Sequence, residues 1–315
     1  MTLESLARMK DEFREGLVGA GLLIPAGVDG LYARGAGFEL VLDAVDDAIT
    51  RAGDDARALT PGGAGYEYFR FPPVFSRHTY EKTDYIESFP DLTGVVNTFG
   101  GTGSDHRQLL SDRAEGRSWD HHLSPGDTVM VSSACHPLYG AIPSALPAGG
   151  IAADVSGFCF RHEPSTDPMR MQMFRMHEFV RAGSPEDAAR FRAAWVDRAV
   201  DLLTGLGLEV RPVAANDPFF GRAGKLLANE QLNNDLKTEI VTHVYGNTHP
   251  PDAIASCNLA EDHFGKNFDL TLPDGSTAHT ACVGFGLERI TLALFAEHGF
   301  DHEEWPTGVQ RTLFR

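Results

Sequence analysis

Ala281-Cys282-Val283-Gly284-Phe285-Gly286-Leu287-Glu288-Arg289-Ile290 carries an apolar, strand-like run into the first turn of an apolar helix continued by Leu292, Leu294 and Phe295. Gly284 and Gly286 let backbone approach a flat ligand. Arg289 stands where a guanidinium can lie over a purine ring or grip a phosphate oxygen. A dinucleotide-binding fingerprint would need a third glycine at position 289 and a βαβ unit around it, and neither is present. By itself the run also reads as a plain strand-to-helix turn. The upstream sequence decides between the two.

There, Phe158-Cys159-Phe160-Arg161-His162-Glu163 and Met173-Phe174-Arg175-Met176-His177-Glu178-Phe179-Val180 flank a polar loop rich in Pro, Ser, Thr and Asp. Two strand-like runs around such a loop predict an antiparallel hairpin. Arg161, ending the first strand, can bind a phosphate bidentately. Glu163 can accept from an exocyclic amine, and Phe179 is expected to offer a ring for a base to stack on. An edge hairpin carrying solvated charges is the alternative.

Taken together, F-R-x-E, the loop, H-x-F and the later G-x-G-x-x-R resemble motifs 2 and 3 of class II aminoacyl-tRNA synthetases, most closely the seryl enzymes. The resemblance implies an α+β fold, the class II catalytic core with an antiparallel β-sheet flanked by helices. It also implies that ATP is bound with Arg161 on the α-phosphate, Phe179 and Arg289 around the adenine, and Glu163 at its edge. Arg161 and Arg289 are then the catalytic arginines. Residues 66–73, Tyr-Glu-Tyr-Phe-Arg-Phe-Pro-Pro, resemble the strand through which the family forms homodimers, preceded by a helix over 37–50. The similarity runs from about residue 22 to 298.

The seryl enzymes carry a substantial N-terminal domain for tRNA. Here residues 1–23 read as one amphipathic helix on Leu3, Leu6, Met9, Phe13 and Leu17, so no separate tRNA-binding domain and no tRNA are expected. With Lys+Arg 27 against Asp+Glu 44, the net charge of −17 also opposes a large nucleic-acid footprint. No linker or composition break divides the 315 residues, which predicts a single domain over 1–315 with an inserted helix near 222–240. Neither a transmembrane stretch nor an export signal is legible, so a cytoplasmic protein without membrane contact is expected. A second helix is predicted from the Ser184-Pro185-Glu186-Asp187 cap through Phe191, Trp195 and Leu202 to Gly205. Residues 100–127 read as a long loop region.

Cys135, Cys159, Cys257 and Cys282 are scattered, with no C-x-x-C pair. By spacing alone, each reads as a structural free thiol. The family resemblance alters this for two of them. Some synthetase-like proteins hold an active-site zinc through a Cys before motif 2, a Glu on its second strand and a Cys entering motif 3. Cys135, Glu178 and Cys282 match those positions, leaving an open coordination position that an α-amine can fill. Cys159 is expected in the core. His121-His122, adjacent in a polar loop, are expected to be solvent-exposed rather than metal-binding.

Asn216-Asp217-Pro218-Phe219-Phe220-Gly221-Arg222-Ala223-Gly224-Lys225 and Ala253-Ile254-Ala255-Ser256-Cys257-Asn258 narrow the resemblance. They are similar to segments of the amino acid:[carrier protein] ligases, seryl-synthetase homologues without the tRNA-binding domain. That family is expected to activate glycine or alanine with ATP as the aminoacyl-adenylate. It then loads the residue onto the phosphopantetheine thiol of a small acidic carrier protein. Asp217, Cys135, Glu178 and Asn258 would bind the amino acid, and Arg222 and Lys225 would contact the carrier. Where seryl enzymes have a magnesium-binding Glu, this chain has Ala253, leaving Glu239 and Ser256 as candidates for Mg2+ with ATP. A zinc-type enzyme charging tRNA or another acceptor, and a non-catalytic paralogue, are the alternatives. Intact Arg161, Glu163, Phe179 and Arg289 weigh against the last.

Overall fold

A computed structural model describes residues 3–83, 85–216 and 236–314. Its centre is a seven-stranded sheet. In chain order the strands are β1 (Glu67–Phe69), β2 (Ile151–Phe160), β3 (Met173–Gly183), β4 (Arg211–Ala214), β5 (Lys237–Thr242), β6 (Asp252–Glu261) and β7 (His279–Gly286). They lie side by side as β1-β2-β3-β7-β6-β5-β4. β1 runs parallel to β2, and every other neighbouring pair is antiparallel. β2 and β3 form the expected hairpin, from Ile151↔Ala182 to Phe160↔Met173.

The central strands bury both faces, as their long apolar runs require. One face carries α2 (Ala36–Asp55), α3 (Pro185–Gly205) and α4 (Leu287–His298), with α1 (Leu3–Gly19) packed outside them. In α3 the Ser184 side chain accepts from the Asp187 N–H at 3.1 Å, and Pro185 opens the first turn. Ala188, Phe191, Trp195, Ala199 and Leu203 then recur at helical spacing and are buried against the sheet. The other face packs Val131, Leu138, Tyr139 and Ile142 on Val155, Cys159 and Val180. Cys159 is thus a core residue, as its sequence setting suggests.

Two expectations about local structure are corrected. Residues 100–127 are not one loop: a helix spans Gly103–Ala114 and a strand begins at Ser124. Its start was legible, since Thr102 and Asp105 form a reciprocal capping box. That strand, Ser124–Met130, joins Val74–Ser76 and Val95–Thr98 in a small antiparallel sheet. The helix expected near 222–240 lies outside the described residues as far as 235, and its last residues form a strand instead: Lys237–Thr242 is β5, hydrogen-bonded to β4 and β6. Ile240 and Val241 are both buried there, and pairing to strands on either side outweighs helix propensity. No helix among the described residues is long and apolar enough to cross a membrane.

Candidate active site

The site is built on one face of four adjacent strands. Alternation along β3 turns Phe174, Met176 and Glu178 to the same side. Gly284 of β7 lies opposite Glu178, Cys282 opposite Val180, Asn258 of β6 opposite Cys282, and Glu239 of β5 opposite Ser256. Gly284 is closely covered: a Cβ there would stand 3.0 Å from the Met176 methyl, which would have to shift, and 3.5 Å from Glu178 Cγ.

At one end stand Cys135, Glu178 and Cys282, whose ligand atoms all lie within 4.8 Å of one another. Cys135 ends the turn that leads into the short helix His136–Ala141. Glu178, 1% exposed, accepts from Ser133 Oγ at 3.1 Å and from the Cys135 N–H at 3.2 Å. Asn258 Nδ2 lies 3.6 Å from Cys282 Sγ and 3.2 Å from Ser256 Oγ. Burial pushes the Glu178 carboxyl up. The hydrogen bond with Cys282, with burial, holds the Cys135 thiol well above its usual range. Three acidic groups face one another in a dry recess, and a divalent cation would offset the charge of their ionised forms. Two sulfurs and a carboxylate are a donor set that suits zinc.

Positive charge gathers at the other end. Arg161, just past β2, donates from Nε to the Ser132 carbonyl at 3.1 Å and holds its guanidinium 5.5 Å from the Phe174 ring centre. Glu163 lies 3.5 Å from Arg170. Arg289, on the first turn of α4, donates from Nε to the Met169 carbonyl at 3.0 Å and from Nη1 to the Ala253 carbonyl at 3.1 Å. Burial, with Arg170 and Arg161 nearby, lowers Arg289 to about 10, so it stays cationic at neutral pH. Convergent guanidiniums suit a polyphosphate. Glu239 and Ser256 sit side by side between the two ends, but the Glu239 carboxylate already faces Lys237 Nζ at 3.3 Å.

The sequence expectation for Phe179 is corrected. It is fully buried on the opposite face, its ring 4.7 Å from Trp195 and nearly parallel to it, and 4.7 Å from Tyr66. Adjacent strand residues cannot share a face, so Glu178 and Phe179 cannot both line one pocket. Phe174, beside Arg161, is an aromatic ring on the site's side, which sequence reasoning missed although the alternation from Glu178 marks it. Arg170 was missed as well. Of the His121-His122 pair, His121 is exposed as expected, at 60%, but the expectation that the pair stands apart from any metal-ligating arrangement is not met, since Asp112, His121 and His122 bring their ligand atoms within 4.8 Å of one another. His122 instead turns inward, its Nε2 2.6 Å from Asp112 Oδ2, while Arg117 pairs with the same carboxylate. Asp217, Arg222 and Lys225 lie outside the described residues.

No family model matches the chain. Over 289 residues it is 39% identical to amino acid–[acyl-carrier-protein] ligase 1 of Bradyrhizobium diazoefficiens, covering 91% of this chain and 86% of that protein. Ligase 2 of the same organism is 38% identical over the same length. The type-2 serine–tRNA ligase of Methanopyrus kandleri is 28% identical over 298 residues, and the chain covers 53% of it. Among solved structures, the M. kandleri seryl-tRNA synthetase in complex with an A. aeolicus tRNA superposes with a TM-score of 0.78 at 20% identity, over 96% of this chain and 59% of that one. A prolyl-tRNA synthetase of Cryptosporidium parvum gives 0.66 at 12% identity, over 92% of this chain and 52% of its own. The fold is therefore that of the class II aminoacyl-tRNA synthetase core, and the chain belongs to the amino acid–[acyl-carrier-protein] ligases.

Proposed function

We propose that the chain activates a small amino acid, glycine or alanine, with ATP and transfers it to the phosphopantetheine thiol of a carrier protein. The observation that supports this most directly is the continuity of one sheet face from the Cys135, Glu178 and Cys282 cluster to the arginines Arg161 and Arg289. An amino acid spanning that face has its amine at the cysteine sulfurs and its carboxylate towards the arginines.

Zinc held by Cys135, Glu178 and Cys282 would supply a Lewis acid for the free amine. Asn258, beside Cys282, flanks that amine. Arg161 and Arg289 position ATP, with Phe174 offering the aromatic face, and Mg2+ accompanies the phosphates. In the first step a carboxylate oxygen bonds to the α-phosphorus as the bond to the β-phosphate oxygen breaks, releasing pyrophosphate. Arg161 stabilises the charge that builds on the phosphoryl oxygens. In the second, the pantetheine sulfur attacks the acyl carbon, AMP leaves, and the thiol proton passes to solvent. The product is a thioester.

The reading includes a homodimer formed about β1. Its Tyr68 is 60% exposed on an edge of the sheet, and unpaired edges invite another chain.

ATP–pyrophosphate exchange against a panel of amino acids, then transfer to holo-carrier protein or to tRNA, tests the reading. Exchange with glycine or alanine and transfer to the carrier support it. Charging of tRNA instead would favour the serine–tRNA ligase relatives. The metal is tested separately, by elemental analysis. About one zinc per chain is expected, lost in Cys135→Ser and Cys282→Ser with the fold retained. Metal-stripped protein that stays fully active would sink the zinc assignment.

A further inference from the structure

Asp167 lies in the loop between β2 and β3 and is 5% exposed, yet it belongs to none of the groups expected to touch a ligand. Its two oxygens are taken by side chains from distant parts of the chain and by a backbone N–H of its own turn. Oδ1 accepts from the Tyr245 hydroxyl at 2.5 Å and from the Met169 N–H at 2.9 Å. Oδ2 lies 2.6 Å from Lys10 Nζ, which α1 extends across the loop. The Lys10 ammonium is also 5.5 Å from the Tyr245 ring centre, and Phe13, one turn along α1, meets that ring edge-on at 6.1 Å.

The consequence falls on Arg289. Asp167 caps the short turn Pro168–Arg170: its side chain accepts the Met169 N–H and its backbone carbonyl accepts the Arg170 N–H, at 2.9 Å each, so the peptide that carries the Met169 carbonyl is held from both sides. The Met169 carbonyl accepts the Arg289 Nε–H at 3.0 Å, and Ala253 O takes the Nη1 hydrogen at 3.1 Å. A guanidinium is planar, so two fixed acceptors determine where its faces and remaining N–H groups point. Neither Lys10 nor Tyr245 hydrogen-bonds Arg289 itself.

We propose that Lys10, Asp167 and Tyr245 are positioning residues for ATP: through the Met169 carbonyl they hold Arg289 in the orientation that binds the nucleotide. The proposal rests on the ATP reading above. It assigns a role in nucleotide binding to α1 through the contact of Lys10 with Asp167. Charge-assisted hydrogen bonds to a buried carboxylate are the stronger kind, and removing one partner leaves the other uncompensated.

The test uses the full chain with Asp167→Asn, Tyr245→Phe, Lys10→Met and Lys10→Arg. Binding of a non-hydrolysable ATP analogue with Mg2+ is measured by calorimetry, and KM for ATP and for the amino acid by pyrophosphate exchange. Asp167→Asn should weaken analogue binding and raise the ATP KM about tenfold, with Tyr245→Phe and Lys10→Met nearer threefold. The amino-acid KM and the bound metal should stay at wild-type values, and Lys10→Arg should restore binding. If Asp167→Asn does not fold, the Lys10 and Tyr245 variants decide. Analogue binding at wild-type strength in those variants overturns the proposal. So does a parallel rise in both KM values with a lowered Tm, the mark of a general packing role. A wild-type chain that binds no analogue would defeat the ATP reading itself, and this proposal with it.

Discussion

Two phenylalanines five residues apart are expected to behave in opposite ways. Phe174 shares the site face with Glu178, under the Arg161 guanidinium, whereas Phe179 is core, stacked on Trp195. Phe174→Ala should raise the ATP KM about tenfold with little change in Tm, since stacking on a base is worth about 1–3 kcal/mol. Phe179→Ala should cost about 3–5 kcal/mol of stability by leaving a cavity. Denaturant melts and pyrophosphate-exchange kinetics on both variants check this, and equal effects would contradict it. His136 gives a pH-dependent counterpart. It is buried with Nδ1 3.0 Å from Ser132 Oγ, and burial, Arg161 and His263 lower its imidazole from the usual 6.5 to about 3. The folded chain keeps it neutral, while the unfolded chain takes up a proton below about pH 6.5. The unfolded state then binds more protons, so this contribution is whole above about 6.5 and lost as pH falls towards about 3. His136→Gln should flatten the dependence of Tm on pH between about 4 and 6.5, and an unchanged slope would count against it.

Among elements, α3 carries the plainest sequence signature and folds as that signature requires. Ser184→Ala, which deletes its cap, should cost about 1 kcal/mol, read from the midpoint of denaturant unfolding without change in activation kinetics. Capping residues and helical spacing are local signals, which is why α3 was legible to its last turn. The hairpin of β2 and β3 was legible for the same reason, two apolar runs around a polar loop. The Cys135, Glu178 and Cys282 cluster was legible only through resemblance. Its members come from three separate segments, and spacing says nothing of which strands become neighbours. Phe179 matches the motif by residue order, but the two-residue period of its strand turns it away from the face that Glu178 lines. The helix Gly103–Ala114 was missed although Thr102 and Asp105 announce it, because the Gly and Ser content around them reads as loop. The role of Lys10 had no local signal at all, since its partner lies beyond 150 residues of intervening chain.

For the whole molecule, the exposed edge strand β1 sets the first expectation. The chain should sediment as a dimer of 34.2 kDa protomers at micromolar concentration, and Tyr68→Glu should shift it towards monomer in analytical ultracentrifugation. A wild-type monomer would argue against dimerisation through β1. The sheet itself has a further consequence for how this protein tolerates insertions and deletions. Glu178, Cys282, Asn258, Ser256 and Glu239 meet because each sits at the same step of its strand's alternation. The two register irregularities fall beside this stretch, between Ile240 and Val241 and between Leu259 and Glu261. One extra codon placed within β3, β6 or β7 would rotate every residue beyond it to the far side of the sheet, exchanging a ligand for a core side chain. Two extra codons would only slide the strand by a repeat and keep its sidedness. Length changes in these strands should therefore be tolerated in pairs or not at all, whereas the surface loops that join them carry no such rule.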